Sequence, residues 1–213
     1  MVRFFMSILL FPGIIVSCGP TKHLASKKES LPQASDSIML DKDGNKYPLK
    51  MLKDGKQWMT ANLNLNIGSS YCYDDDMKKC EQFGRLYVWE SAKQGCLSLG
   101  NGWRLPTNDE WGQLVKLYGG AELDSNASRK GAYKALLISG SSGFNAVLGG
   151  GRGPDGQYAR GDAHGFYWTA TENGNTAAWF YNFAKGSQAL YQQPDGEKER
   201  AFSVRCVKNA LSK

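Results

Sequence analysis

The clearest fold signal in the chain is the stretch GWRLPTNDEW, residues 102–111. Thr107 is placed to cap the backbone N–H of Glu110, and the Glu110 side chain can accept from the backbone N–H of Thr107, which is the pattern of a capping box. The apolar residues that follow recur at helical spacing on one face: Trp111, Leu114, Val115 and Tyr118. Gly119 and Gly120 end the pattern. The sequence therefore predicts a helix that begins after Thr107 and packs one face against a core.

The rest of the chain alternates between short apolar runs and turn residues, which favours short helices and short strands. Two further helices are predicted, at residues 88–94 and 131–138. A hairpin is predicted at residues 46–61, and Pro48 favours an edge position for its first strand because proline lacks the N–H that a central strand needs. Residues 194–196, Pro-Asp-Gly, are predicted as a turn. The last third of the chain predicts five strands, at residues 144–148, 165–171, 177–183, 188–192 and 201–208. We therefore expect an α+β fold, loop-rich, with few short helices packed on twisted antiparallel sheets.

The composition is that of a globular domain and excludes several classes of protein. The 213 residues are 41% hydrophobic and 22% charged, which is the balance of a folded domain, and the 25 glycines indicate many turns. The net charge of +6 is not gathered into a basic stripe, so nucleic acid is not expected as a partner. The two histidines, His23 and His164, are too few for a multi-histidine metal site. The acidic loop at Asp41 has Lys46 and Leu52 where an EF-hand needs glycine and glutamate, so no metal or cofactor is expected.

The first residues have the form of a lipoprotein signal. Residues 1–17 place Arg3 before an apolar run and end on Ser17, which matches a secretory signal peptide too short to span a bilayer. Cys18 follows in a lipobox-like context, so we expect it to carry the lipid, such as palmitate, and to become the first residue of the mature chain. Residues 18–37 are expected to form an acylated flexible tether, since they are rich in Ser, Lys and Pro. The chain is thus expected in the bacterial cell envelope as an outer-membrane lipoprotein, with the leaflet that it faces left open.

The remaining four cysteines are expected to form two disulfides, because an exported domain meets an oxidising environment. They allow three pairings. Cys72 and Cys80 enclose a short polar loop and are most simply joined to each other, which leaves Cys96 to pair with Cys206. Zinc is the alternative use of four cysteines, but the close CxxC pairs that zinc sites use are missing from the sequence.

A series of segments, spread along the chain in a fixed order, carries a family resemblance. The segments are DxDGNxY at 41–47, QWMxxNL at 57–63, the cysteines at 72 and 80, GRLYxW at 84–89, GWRLPT at 102–107, EW at 110–111, GF at 143–144, GxYW at 165–168 and SVRC at 203–206. Together they resemble the Fibrobacter succinogenes major paralogous domain (FISUMP) over residues 38–209, with residues 210–213 as a C-terminal tail. The resemblance implies a C-type-lectin-like fold, related to formylglycine-generating enzymes, in secreted proteins or lipoproteins. It also implies a disulfide from an early helix to the last strand, which agrees with Cys96–Cys206.

The sequence offers no clear catalytic constellation. Ser141 and Ser142 have no evident base beside them, and His164 is best read as an isolated loop histidine. A formylglycine-generating-like oxidoreductase is a lesser alternative that the resemblance raises. It needs reactive cysteines, whereas the domain cysteines are assigned to disulfides. We therefore expect a protein that is not an enzyme.

The region around residues 172–192 offers better material for binding. Aromatic rings present flat apolar faces, and Asn, Gln and Glu supply hydrogen-bond donors and acceptors for a sugar or a protein surface. The candidate ligand-binding residues are Glu172, Asn173, Asn175, Trp179, Tyr181 and Gln192. One face of the strand must be core, so Trp179 and Tyr181 could serve either purpose, whereas Trp168 is expected in the core. The main hypothesis is a membrane-anchored, non-catalytic module that binds a glycan or a protein. The alternative is a structural component of the cell envelope or of a surface appendage.

Overall fold

The computed structural model describes Met1, residues 37–120 and residues 125–210. The helices and strands given below belong to one compact unit of the chain, Ala34–Lys213. The predicted signal peptide beyond Met1, the lipidation site Cys18 and most of the predicted tether lie outside the described residues. Within the described part, no helix is long and apolar enough to cross a membrane.

The described residues form four α-helices and eleven short β-strands. The helices are α1 Met77–Phe83, α2 Trp89–Leu97, α3 Asn108–Gly119 and α4 Asn126–Leu136. The strands are β1 Ser37–Leu40, β2 Lys46–Met51, β3 Lys56–Met59, β4 Ser70–Tyr71, β5 Leu86–Tyr87, β6 Gly151–Arg152, β7 Tyr158–Ala159, β8 His164–Glu172, β9 Ala177–Ala184, β10 Ala189–Glu197 and β11 Val207–Asn209. They pair antiparallel into a four-stranded sheet β1-β2-β3-β11, a three-stranded sheet β10-β9-β8 and the pairs β4-β5 and β6-β7. The α+β class is therefore as predicted.

Helix α3 forms as its sequence pattern predicts. The Thr107 hydroxyl accepts a hydrogen bond from the Glu110 N–H at 3.2 Å, and the Glu110 carboxylate accepts from the Thr107 N–H at 2.9 Å. Trp111, Leu114 and Val115 are buried, and the helix stops where the Gly120 N–H bonds to the Lys116 carbonyl. Both reciprocal cap bonds are made, so the first turn is fixed at the predicted residue.

The other helices differ from their predicted bounds. Helix α2 covers the predicted segment and continues to Leu97, while α4 starts five residues earlier than predicted because Ser125 caps it by accepting from the Ser128 N–H. Helix α1 was not predicted. It begins inside the Cys72–Cys80 loop, where the Asp76 side chain accepts from the Lys78 N–H, and continues past Cys80 to Phe83.

The predicted hairpin at residues 46–61 is present as β2 and β3, with Lys50 opposite Trp58. The edge position predicted from Pro48 is wrong, because β1 pairs with β2 on its outer side and sets Ile38 opposite Pro48. The Pro48 carbonyl still accepts from the Thr60 N–H at 2.8 Å, so this residue lacks only the donor half of its pairing. The exposed edge is β1 itself.

Three predicted features of the last third are also wrong. Residues 144–148 contain only a single bridge, from Ala146 to Leu137, and no strand. Phe144 and Ala146 are buried, but the carbonyls of Phe144 and Asn145 accept from the guanidinium of Arg205 instead of from a neighbouring strand.

The Pro-Asp-Gly segment at residues 194–196 is not a turn between strands. It is an irregularity inside β10, where the register shifts between Gln193 and Gly196. A Cβ on Gly196 would lie 2.5 Å from the Trp168 ring, so the strand passes too close for a side chain. The predicted last strand, residues 201–208, is broken into isolated bridges followed by β11.

Strands β8, β9 and β10 lie between two hydrophobic cores. Trp168 and Phe180 face a core that includes Trp89 and Phe202. The alternate residues of the same strands face a second core, built on α3 and α4, that includes Trp111, Tyr167, Tyr181 and Phe183. Both faces of β9 are therefore largely apolar along most of its length.

Both predicted disulfides are present. Cys72 bonds to Cys80 within the segment that carries α1, and Cys96 at the end of α2 bonds to Cys206 just before β11. The second bond closes a loop of 110 residues, so it links the early helices to the last strand of the domain.

Candidate ligand-binding groove

The polar residues predicted for binding at the β8–β9 turn are exposed, and the side chains of Glu172 and Asn173 are engaged within the protein. The ammonium group of Lys198 lies 3.0 Å from the Glu172 carboxylate and donates to the Gly174 and Asn175 carbonyls. The Asn173 side-chain amide donates to the Pro194 carbonyl at 3.0 Å. These contacts hold the turn in place, so the Glu172 and Asn173 side chains already bond within the protein.

The other three predicted binding residues do not form one surface with that turn. Tyr181 is 2% exposed and stacks on Trp111, with ring centroids 5.2 Å apart, so it is a core residue and does not offer its ring to a ligand. Trp179 is half-buried, and Gln192 is exposed and donates to the Asn108 side chain at 2.8 Å. Trp168 is fully buried in the core, as predicted.

A cavity of about 670 Å³ opens on the opposite face of the same sheet. Three phenylalanine rings line it, Phe166 of β8, Phe180 of β9 and Phe202 from the segment before β11. Their centroids lie 4.9–6.0 Å apart. We call this cavity, at the place where the first core opens to solvent, the aromatic groove.

Three polar side chains cross the sheet beside these rings, one from each strand. We call them the polar row: His164 of β8, Asn182 of β9 and Gln193 of β10. Nδ1 of His164 lies 2.9 Å from Oδ1 of Asn182, and Nδ2 of Asn182 donates to Oε1 of Gln193 at 3.0 Å. Because Asn182 Oδ1 is an acceptor, Nδ1 of His164 carries the hydrogen. The other imidazole nitrogen and the Gln193 NH₂ group then remain for a ligand.

His164 is therefore not the isolated loop histidine that the sequence suggests. It begins β8, is half-buried, and stacks on Phe166 with the two rings 5.4 Å apart and 16° from parallel. The stacking and the hydrogen bond to Asn182 fix the ring, so the polar row is ordered before any ligand arrives.

Arginines stand on the side of the groove that β6 and β7 form. Arg152 of β6 stacks on the Tyr71 ring, with Cζ 4.0 Å from the ring centroid, and Arg160 follows β7. A third arginine, Arg200, pairs with Glu197 at 3.0 Å. The groove thus combines apolar rings, neutral hydrogen-bonding groups and fixed positive charge.

The Cys72–Cys80 segment supports this wall from behind. The Tyr73 hydroxyl accepts from the Gly161 N–H at 3.1 Å, and the Asp75 carboxylate accepts from the Tyr158 hydroxyl at 2.5 Å. Burial, together with that hydrogen bond, raises the pKa of Tyr158 to about 12. The β6–β7 wall is therefore tied to a segment that a disulfide closes.

A second cavity, of about 610 Å³, is a weaker candidate for binding. Its most buried polar groups are committed to the protein, since Arg205 donates to Asn62 at 2.6 Å and Asn62 donates to the Phe83 carbonyl at 2.6 Å. In the described part of the chain, no group of three or more His, Cys, Asp or Glu residues could hold a metal ion. The aromatic groove is the better site because its polar groups retain free hydrogen-bonding capacity.

Sequence reasoning missed the groove, although one signal was present. His164 and Phe166 share a face of β8, and Phe180 and Asn182 share a face of β9. A polar residue two positions from a core aromatic marks the place where a strand face leaves the core.

The chain belongs to a family whose members share this domain. Residues 42–208 match the family described as the Fibrobacter succinogenes major domain (Fib_succ_major), which is well over half of the chain. The match covers every described helix and all the strands except β1, which lies before it, and the last residue of β11. No curated protein and no solved structure matches the chain.

Proposed function

We propose that the chain is a membrane-anchored, exported binding module without catalytic activity, which binds a glycan through the aromatic groove. The observation that carries the proposal is the polar row beside the half-buried ring of Phe166, against which the buried rings of Phe180 and Phe202 pack. A sugar ring has apolar C–H faces and a rim of hydroxyl groups, so it needs flat aromatic surface and hydrogen-bonding side chains together. The cavity volume of about 670 Å³ is in the range of small-molecule sites and suits a short oligosaccharide.

The same proposal includes a C-type-lectin-like fold. Cys96–Cys206 joins α2 to the chain just before β11, which is the helix-to-last-strand bond that the lectin-like resemblance implies. A loop-rich domain with short helices and small antiparallel sheets agrees with it. The fold supports a binding role only as an analogy, because one fold serves many functions.

The state of the cysteines supports a non-catalytic role. A formylglycine-generating-like oxidoreductase needs a reactive thiol, and Cys72, Cys80, Cys96 and Cys206 are bonded in pairs. Two disulfides also support export, since such bonds persist in oxidising compartments.

The anchor is tested in the full-length chain by Cys18→Ala. We expect the wild-type protein to fractionate with membranes and to incorporate palmitate, because acyl chains at Cys18 supply the anchor. Cys18→Ala should remain unprocessed and unlabelled. Equal labelling of both proteins, or an unacylated wild type, would contradict the proposed anchor.

The groove is tested by two adjacent glutamines. Gln193 belongs to the polar row, whereas Gln192 is on the opposite face and contacts Asn108. After a glycan array has identified a binding saccharide, we expect Gln193→Ala to weaken its affinity by roughly tenfold, the value of one lost hydrogen bond. Gln192→Ala is the matched control and should bind like the wild type. The opposite ranking would place the site on the α3 face instead.

A structural role in the envelope is the second candidate. Ile38 and Leu40 are 63% and 61% exposed on the edge strand β1, and an exposed apolar edge favours pairing with another chain. Purification of a stoichiometric protein partner, with no saccharide bound on the array, would favour this role.

A further inference from the structure

The aromatic groove carries positive charge that the protein leaves unbalanced. Of its three arginines, Arg200 is paired with Glu197. Arg152 and Arg160 form no ion pair within the described residues. A neutral oligosaccharide would leave both charges without a counterion in the groove.

Arg152 is held in place by two aromatic rings and by a hydrogen bond with the Tyr158 hydroxyl. Its guanidinium stacks on Tyr71 at 4.0 Å and lies 5.7 Å from the centroid of Tyr158. Its Nε is buried with no hydrogen-bond partner among the described residues. A stacked guanidinium leaves the in-plane N–H groups that the protein does not use for a planar acceptor, and a carboxylate is such an acceptor. Little side-chain entropy remains to be lost on binding.

Arg160 adds a second cation at the same side of the groove. Its backbone has a φ of +68°, and its carbonyl accepts from the N–H groups of Ala163 and His164. This tight turn sets Arg160 immediately before the first member of the polar row. The positive side of the groove and its hydrogen-bonding side therefore meet at His164.

The side of the groove away from Arg152 and Arg160 carries a negative charge. Asp195 lines it from the irregular part of β10, which is an outer strand of the sheet. β6 lies beside β8, the strand at the other edge, through the Gly150–Gly165 bridge. A carboxylate accepts hydrogen bonds from sugar hydroxyls but repels a second anion. A ligand that fits this arrangement has an anionic group at one edge and hydroxyls at the other.

We infer that the aromatic groove binds a glycan whose sugar units carry carboxylates, with the ligand carboxylate on Arg152 and Arg160 and its hydroxyls toward Gln193 and Asp195. This inference rests on the proposed function and names the ligand class for the same site. A uronic acid presents all three features that the groove requires: an apolar ring face, hydroxyl groups and a planar carboxylate.

The test measures the affinity of the full-length protein in detergent by calorimetry. The probes are fragments of oligogalacturonate, alginate and hyaluronan, each beside its carboxyl-reduced neutral counterpart, together with a sulfated oligosaccharide. We expect at least one acid to bind tenfold or more tighter than its neutral counterpart, and this preference to shrink as ionic strength rises.

The variants are Arg152→Gln and Arg160→Gln, with Lys116→Gln as the control because Lys116 is an exposed cation on α3, across the sheet. Arg160→Gln keeps the test decisive if Arg152→Gln does not fold, since the Arg160 side chain is exposed. Each arginine variant should reduce the preference for the acid at least threefold, and Lys116→Gln should leave it unchanged.

The outcomes separate the two proposals. Equal affinity for acid and neutral counterpart would overturn the carboxylate assignment and leave a neutral glycan as the ligand. Tighter binding of the sulfated probe than of every carboxylated one would also overturn it. Failure of all these probes and of the glycan array would overturn the proposed function itself.

Discussion

Arg205 is a buried arginine that joins several parts of the domain interior through hydrogen bonds. Its side chain is 1% exposed and donates to the Asn62 side chain and to the carbonyls of Met59, Phe144 and Asn145 at 2.6–3.2 Å. Burial lowers its pKa, and the ring of Phe144 lies 4.8 Å from its Cζ. One guanidinium therefore satisfies the carbonyls of Phe144 and Asn145, which no strand pairs, so the buried Phe144 does not need a strand there.

Arg205→Lys should lower the free energy of unfolding by about 3 kcal/mol, because an ammonium group cannot reach the same spread of acceptors and leaves buried carbonyls unpaired. Urea denaturation measures the change. The control is Arg200→Lys, an exposed arginine paired with Glu197, for which we expect a change below about 0.5 kcal/mol. Similar losses in the two variants would mean that the buried network contributes little.

Glu110 connects the α3 cap to the rest of the domain and makes stability depend on pH. Burial raises its pKa, but the hydrogen bonds from Arg104 and from the Thr107 N–H, with the charges of Arg104 and Lys56, outweigh burial and lower it below the ordinary 4.5. A carboxyl with a lowered folded pKa contributes stability above its unfolded pKa and loses it as pH falls through the folded value.

Glu110→Gln should therefore destabilise the domain by about 1–2 kcal/mol at neutral pH, since it removes the charge that Arg104 binds at 2.6 Å. The gap between variant and wild type should begin to close as pH falls below about 4.5, and should close fully only below the lowered pKa of the carboxyl in the folded protein. Urea denaturation at pH 7 and pH 3 checks this. A gap that stays constant with pH would show that the cap geometry, and not the charge, is what Glu110 supplies.

At the scale of elements, the Cys72–Cys80 segment and the β6–β7 hairpin act as one support for the groove. Asp74 and Asp75 have φ values of +54° and +55°, a conformation that most side chains avoid, and it turns Asp75 toward Tyr158. Tyr73 fills the space beside Gly150 and Gly161, where a Cβ would come within 2.7 Å of its ring. The disulfide holds this short segment closed around α1.

Replacing Cys72 and Cys80 together by serine should lower stability by about 2.5 kcal/mol in the chain-entropy model for a short loop. We also expect faster amide exchange in β6 and β7, with little change in α3, because only the groove wall rests on this segment. Hydrogen exchange read by mass spectrometry measures both. An unchanged rate in β6–β7 would mean that the wall does not need the disulfide.

Local and whole-chain features differ in how far the sequence predicts them. The capping box of α3, the β2–β3 hairpin and both disulfides follow from residues that are adjacent or from simple pairing, and the structure confirms them. The groove combines residues from 152 to 202 that come together only through strand pairing. No local sequence pattern therefore predicts it. Tyr181 could not be assigned from alternation because both faces of β9 are buried, each against a separate core.

At the scale of the whole molecule, the proposed binding site lies on one face of the β8–β9–β10 sheet, and the other face is packed. The α3 and α4 helices cover the second face, and Cys96–Cys206 joins the early helices to the last strand. On the binding face, Phe166 and the polar row line the aromatic groove.

The most direct measurement is an NMR titration of the full-length protein in detergent with a carboxylated oligosaccharide selected by calorimetry. We expect the shift changes to cluster at His164, Asn182 and Gln193 and at the arginines of the β6–β7 side. Changes confined to Glu172–Asn175, Trp179 and Gln192, with the groove signals unmoved, would contradict it.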